Sequence, residues 1–175
     1  MDKIKREKIH SLAERIHNEL KLDIPVDLQI VIRKLKGELK EDSYDDLVDA
    51  KIEKVGDTFK ISVNDKKPKL RNNFSIAHEL GHLFLHMGYL INPAKWQKVQ
   101  MYTDSVYYRF GHDSEELEAN EFAAAFLMPE TKYRKVVKEY SKNNLCDISK
   151  IAERFGVSEE AALNRGRWLK IFSWK

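Results

Sequence analysis

The sequence predicts a single helix-rich domain of the α+β class with a small, mostly antiparallel sheet. Apolar residues recur at helical spacing towards both ends of the chain, and two alternating segments flank a Gly-Asp pair. An apolar content of 42% in 175 residues is enough for one core. We therefore expect one domain over 1–175, made of N-terminal helices in 1–37, a central core in 38–128 and a C-terminal helical segment in 129–175.

Composition and charge narrow the class of protein. The longest apolar run, 122–128, is far shorter than the roughly 20 residues of a membrane-spanning helix, and no secretion signal is visible. The lone Cys146 cannot form an internal disulfide, so we expect a structural thiol and a cytoplasmic protein. Residues 130–175 hold 11 Lys and Arg against 6 Asp and Glu. We interpret this excess of positive charge as a solvated helical surface, and the alternative is a site for an acidic partner.

Two amphipathic helices are expected to open the chain. The first carries an apolar stripe at helical spacing, formed by Ile9, Leu12, Ile16 and Leu20. The second follows Pro25, with Asp27 placed to cap it and Gly37 to end it. An acidic loop at 41–46 and a β-hairpin at 50–64 come next.

A third helix is predicted over 74–87. Asn72 or Asn73 can cap its start, and Gly88 can adopt the left-handed conformation that ends a helix. The stretch 89–112 is irregular, and the pattern leaves open whether it forms a hairpin or a covering loop. A further helix is expected to begin at Asp113 or Ser114 and to continue to Pro129. This proline either ends the helical region or is followed directly by another helix.

The segment 147–172 is typical of a helix-turn-helix, with Gly156 in the turn and Ser158 capping the second helix. That second helix opens with Glu159 and Glu160, which disfavour contact with phosphates. Basic residues follow, namely Arg165, Arg167 and Lys170. We expect a packed helical hairpin, with direct nucleic-acid binding the less favoured alternative.

Residues 78–82 form an HExxH sequence. Positions i and i+4 share one face of a helix, so His78 and His82 can bind one zinc ion while the intervening Glu79 acts as general base on a water molecule. The later helix offers a third ligand, with Glu116 as first choice and Glu118, which points away from it, as second.

The face of the later helix that carries Glu116 also carries small residues. It consists of Glu116, Ala119, Asn120 and Ala123 at helical spacing. Such a face can press close to the metal helix at Gly81. Asn120 is then placed to orient a ligand imidazole through its free nitrogen.

The remaining histidines are expected to bind no metal. Three imidazoles at i, i+4 and i+8 of a rigid helix span about 12 Å, too far for one ion, so His86 is assigned to packing or to a role behind the ligands. His10 and His17 have no cluster of metal spacing around them and are expected at the surface.

Two segments together resemble one family. FSIAHELGHLFLH at 74–86 and ELEANEFAAAFLMP at 116–129 are similar to the ImmA/IrrE zinc metallo-endopeptidases, and IPVDLQIVIRKLKGEL at 24–39 and ISKIAERFGVSEEAALNR at 148–165 extend the likeness. The resemblance implies a zincin-like fold and cleavage of a helix-turn-helix repressor, a protein partner. It also implies roles for particular residues: zinc binding by His78, His82 and Glu116, and water activation by Glu79.

The sequence does not single out one residue for stabilising the oxyanion at the predicted zinc site. Four side chains are candidates for stabilising the oxyanion, namely Tyr102, Tyr107, Tyr108 and His112. The segment 58–64 is the expected platform for an extended substrate, by β-strand addition. The alternative function is a non-catalytic regulatory module with structural zinc, which would bind a repressor or DNA through a basic face containing Arg165 and Arg167.

Overall fold

The computed structural model describes residues 1–45, 47–99, 114–143 and 145–174. Within these ranges the helices are α1 Lys3–Glu19, α2 Leu28–Lys34, α3 Lys69–Gly81, α4 Pro93–Lys98, α5 Ser114–Leu127, α6 Glu130–Glu139, α7 Ile148–Phe155 and α8 Glu159–Trp168. The strands are β1 Glu38–Asp42, β2 Ala50–Val55, β3 Thr58–Asn64, β4 Ser141–Lys142 and β5 Leu145–Cys146. The expected helix-rich α+β fold is confirmed.

The larger sheet has the order β1-β3-β2. The predicted hairpin is present: β2 and β3 pair antiparallel from Ala50↔Val63 to Val55↔Thr58, with Gly56 at φ +58° in the turn. On the other side of β3, β1 pairs parallel, from Glu38↔Lys60 onwards. The prediction of an acidic loop from residue 41 is therefore wrong at its start, because residues 41 and 42 belong to β1.

The core lies where α3 and α5 pack together, with the sheet against α3 and with α1 against α5. Ile52, Phe59 and Ile61 contribute the sheet side of the core, and Phe122 and Phe126 contribute α5; all five are fully buried. Because α5 is covered from two sides, it is buried around most of its circumference. Among the described residues, none of the helices combines the length and apolar character needed to cross a membrane.

Helix α3 begins earlier than predicted, at Lys69 after Pro68. Neither asparagine caps it. Asn72 donates its side-chain amide to the Asn64 carbonyl at 3.0 Å, and Asn73 donates to the Gly156 carbonyl at 3.1 Å. These side chains therefore tie the helix to the sheet and to the C-terminal segment instead of satisfying its first N–H groups.

The C-terminal segment forms the expected helical hairpin. Gly156, at φ +66°, ends α7, and Ser158 caps α8 by accepting a hydrogen bond from the Ala161 amide. Arg165 does not lie on a basic surface, however. It is only 2% exposed and donates Nε to the Met128 carbonyl at 3.0 Å, because α8 turns this residue towards the end of α5.

The surface assignment is wrong for His17 and holds only in part for His10, because α5 packs along the helix that carries both residues. His17 is 1% exposed; its Nδ1 donates to the Phe126 carbonyl at 3.1 Å, and its Nε2 accepts from the Lys132 ammonium at 2.9 Å. His10 is partly buried and contacts Glu121 at 2.8 Å.

The burial of His17 predicts a pH-dependent contribution to stability. Burial and the Lys132 ammonium lower the pKa of His17, so its contribution is complete above the unfolded pKa of about 6.5 and is lost as pH falls from there through the lower folded pKa. Between pH 7.5 and 5.5 we expect wild type to lose more free energy of unfolding than His17→Gln, by at most about 1.4 kcal/mol. Urea titrations at both pH values measure this difference, and parallel losses in the two proteins would contradict it.

Candidate metal centre

The end of α3 and the first turn of α5 bring three side chains to one point. His78 Nε2 lies 3.0 Å from His82 Nε2 and 3.2 Å from Glu116 Oε2, and His82 Nε2 lies 3.1 Å from Glu116 Oε1. Potential ligand atoms of these three residues all lie within 4.8 Å of one another. The fold thus brings together the three residues of the first-choice set, and their role as metal ligands stays a prediction.

A close helix approach creates this cluster. A Cβ atom added to Gly81 would lie 2.9 Å from the Ala119 Cα, nearer than real Cβ atoms come to backbone. The predicted small-residue face of α5 therefore does press on α3 at Gly81. Glu116 precedes Ala119 by almost one turn, which carries its carboxylate to the two imidazoles.

Asn120 lies where the sequence placed it. Its Oδ1 accepts a hydrogen bond from His78 Nδ1 at 2.9 Å. With the proton held on Nδ1, the Nε2 lone pair of His78 points towards His82 and Glu116. The orientation of this imidazole is therefore fixed from outside the cluster.

After Gly81 the helix widens into a π turn over His82–His86, closed by the Met87 amide on the His82 carbonyl at 2.9 Å. His86 lies outside the group formed with His78 and belongs to a second group of potential ligands, with His82 and Glu115. Its Nδ1 contacts His82 Nδ1 at 2.8 Å, and its Nε2 lies 3.5 Å from Glu118 Oε2. Glu118, the second-choice ligand, thus faces His86, and its other oxygen pairs with Lys5.

The cluster carries negative charge in a partly enclosed site. Contacts with His78 and His82 hold the pKa of Glu116 well below its usual range, so this carboxylate is ionised. Burial alone would lower the pKa of His78, but the contact with Glu116 and the charge of Glu79 outweigh it and raise that pKa. Glu79 is itself only 3% exposed. Such an environment favours a bound cation.

The predicted substrate platform is wrong. Strand β3 is the central strand of its sheet and is hydrogen-bonded on both sides, so it cannot accept an added strand. The edges are β1 and β2 instead. The four candidates for stabilising an oxyanion, Tyr102, Tyr107, Tyr108 and His112, lie outside the described residues.

The fold and the donor cluster are those of a metallopeptidase-like domain. A model of the peptidase family described as the IrrE N-terminal-like domain matches residues 27–166, so the chain belongs to this family. The fold is also similar to part of a Mycobacterium tuberculosis transcriptional regulator, with a TM-score of 0.63 at 21% identity over 92% of this chain and 46% of that one. This chain thus spans about half the length of that regulator. Among curated proteins, none matches the sequence significantly.

The contact at Gly81 predicts a coupled loss of stability and metal binding. Gly81→Ala should push α3 from α5, cost about 1–3 kcal/mol of unfolding free energy and separate Glu116 from the histidines. Gly56→Ala is the control: it strains a left-handed residue with open space around it, in the hairpin turn and outside both helices. Urea unfolding and calorimetric titration with Zn²⁺ as probe measure both effects. Equal Zn²⁺ affinity in the two variants would contradict the role of this contact.

Proposed function

We propose that this chain is a zinc-dependent endopeptidase that cleaves a regulatory protein. The observation that carries the proposal is the convergence of His78, His82 and Glu116 beside Glu79, in a member of a peptidase family. In this proposal the first three residues hold the zinc ion and Glu79 is the catalytic base.

The donor set fits zinc. A tetrahedral zinc ion with bonds of about 2.0–2.1 Å holds its donor atoms about 3.3–3.4 Å apart. The two imidazole nitrogens lie 3.0 Å apart, and they lie 3.2 Å and 3.1 Å from different oxygens of Glu116, so a small expansion accommodates the ion. With Asn120 keeping the proton of His78 on Nδ1, lone pairs converge on the centre of the cluster, and a cation there relieves their repulsion. Three protein ligands also leave one position for water or substrate, as in catalytic zinc sites.

The chemistry then divides between the ion and the chain. When bound, zinc supplies Lewis acidity, which lowers the pKa of water and polarises a peptide carbonyl. Glu79 takes the proton of the attacking water and gives it to the leaving amine, so that the peptide bond breaks as a carboxylate and an amine form. Asn120 and Glu116 keep His78 oriented during both steps.

The proposed substrate is a helix-turn-helix transcriptional regulator. Two points support it: the resemblance of the motifs to the ImmA/IrrE endopeptidases, and the likeness in fold to a protein that is itself a transcriptional regulator. The alternative of a DNA-binding or repressor-binding module with structural zinc is weaker. Its basic face was to include Arg165, which is buried against the Met128 carbonyl. A structural zinc would also have no use for Glu79.

The proposal predicts one zinc ion per chain. Purified wild type should contain about one equivalent by atomic spectroscopy, and His78→Ala should contain little, because it removes one of three ligands. His10→Gln, a histidine variant on α1, is the matched control and should retain full zinc content. Wild type without bound zinc, even after incubation with Zn²⁺, would end the proposal.

The role of Glu79 predicts a separation of binding from catalysis. Glu79→Gln should keep zinc and fold but slow cleavage about 10²–10⁴-fold, because the general base is lost. The variant can also serve as a trap to capture the regulator from cells. Glu121→Gln removes a partly buried carboxylate that faces Arg6 and His10, and should leave cleavage unchanged. Wild-type cleavage rates in Glu79→Gln would remove Glu79 from the role of general base.

A further inference from the structure

A chain of polar contacts leads away from the metal cluster on the side opposite Glu116. His82 turns Nε2 to the cluster and Nδ1 to His86 Nδ1, at 2.8 Å. His86 Nε2 lies 3.5 Å from Glu118 Oε2, and the second oxygen of Glu118 pairs with the Lys5 ammonium. This series of contacts therefore links the first turn of α1, through α5, to the π turn.

These contacts occur where polar groups need partners. His82, His86 and Glu118 are 1%, 7% and 7% exposed. Buried polar groups are expensive unless hydrogen-bonded, so each is constrained by the next. The π turn carries both imidazoles, with ring centroids 4.8 Å apart. Such turns inside α-helices frequently occur at functional sites.

The direction of the hydrogen bonds follows from the cluster. Two Nδ1 atoms at 2.8 Å share a single proton. If His82 is to present a lone pair at Nε2, its own proton must lie on Nδ1, where it is donated to His86. His86 then accepts at Nδ1 and carries its proton on Nε2, the nitrogen that faces Glu118. The Glu118 carboxylate is the acceptor that this arrangement requires.

We propose that His86 is a positioning residue that holds His82 in the metal-binding tautomer and orientation, and that Glu118 in turn orients His86. The inference rests on the proposed zinc site and adds the element that holds its second imidazole. The two imidazoles are then supported differently: His78 by the amide of Asn120 near the surface, and His82 by a buried imidazole backed by a carboxylate.

A second metal ion is the competing interpretation of the same residues. His82, His86 and Glu115 also have potential ligand atoms within 4.8 Å of one another. The separation of 2.8 Å between the two Nδ1 atoms matches a hydrogen bond, and Nε2 of His86 faces Glu118, the acceptor that a proton on this nitrogen requires. The hydrogen bond is therefore the better description of the His82–His86 contact.

The test compares zinc affinities by chelator competition, with Co²⁺ substitution as a spectroscopic readout of ligand geometry. His86→Leu removes the acceptor and should weaken zinc binding about 10–100-fold and change the visible Co²⁺ absorption. His86→Asn keeps an acceptor near the position of Nδ1 and should restore affinity to within about 3-fold of wild type. Far-UV circular dichroism of the metal-free proteins monitors the fold.

Two carboxylate variants complete the design. Glu118→Gln keeps the size but removes the charged acceptor, and should weaken zinc binding about 3–10-fold, less than His86→Leu. Glu115 is the carboxylate of the competing second metal site. Glu115→Gln should leave the zinc affinity unchanged, and wild type should bind one zinc ion. If His86→Leu does not fold, Glu118→Gln and His86→Asn carry the test.

The outcomes are distinct. Wild-type affinity in both His86→Leu and Glu118→Gln, or a weakened His86→Asn equal to His86→Leu, would overturn the positioning role while leaving the proposed function standing. If wild type binds two zinc ions per chain and Glu115→Gln loses one, the positioning role of His86 is replaced by a second metal site. Failure of wild type to bind any zinc would instead remove the proposed function and this inference with it.

Discussion

The close helix contact between Gly81 and Ala119 is the constraint on which the site depends. At this point the backbones of α3 and α5 approach so closely that no side chain heavier than hydrogen fits on α3. Small residues permit such an approach, and the approach in turn sets the distance between polar residues one turn away on each helix. His78 and Glu116 meet because Gly81 and Ala119 do.

Helix α5 serves two neighbours at once. Towards α3 it presents Glu116 and Asn120, and towards α1 it presents Glu121, which pairs with Arg6. Its apolar residues fill the space between these polar rows, with Phe122 and Phe126 stacked at 5.6 Å. Helix α1 thus acts as a backing layer for α5, and the partner of Glu118, Lys5, comes from its first turn.

The sequence revealed the parts of the site that depend on local spacing. The HExxH pattern and the face formed by Glu116, Ala119 and Asn120 follow from helical periodicity, which is a property of neighbouring residues. The packing of α3 on α5 could be anticipated because both faces carry small residues at the right interval. The hairpin and the C-terminal pair of helices had equally local turn signals in Gly56 and Gly156.

What could not be predicted depends on long-range packing. His17 and Arg165 are polar residues whose burial is decided by partners more than 30 residues away, Phe126 and Met128. Strand β1 has the sequence ELKED, which has no apolar alternation, and it forms because β3 offers a free parallel edge. That same pairing placed β3 in the centre of the sheet and removed it as a platform for substrate.

The π turn has a consequence for how this family's sequences are compared. A helical wheel assumes a constant rotation per residue, and that assumption ends at His82, where the hydrogen bonds lengthen to span five residues. The turn is equivalent to one extra residue inserted into an α-helix. In an aligned sequence without this extra residue, a histidine at the position of His86 would point in a different direction. Such a histidine is therefore informative only where the length of the turn also matches.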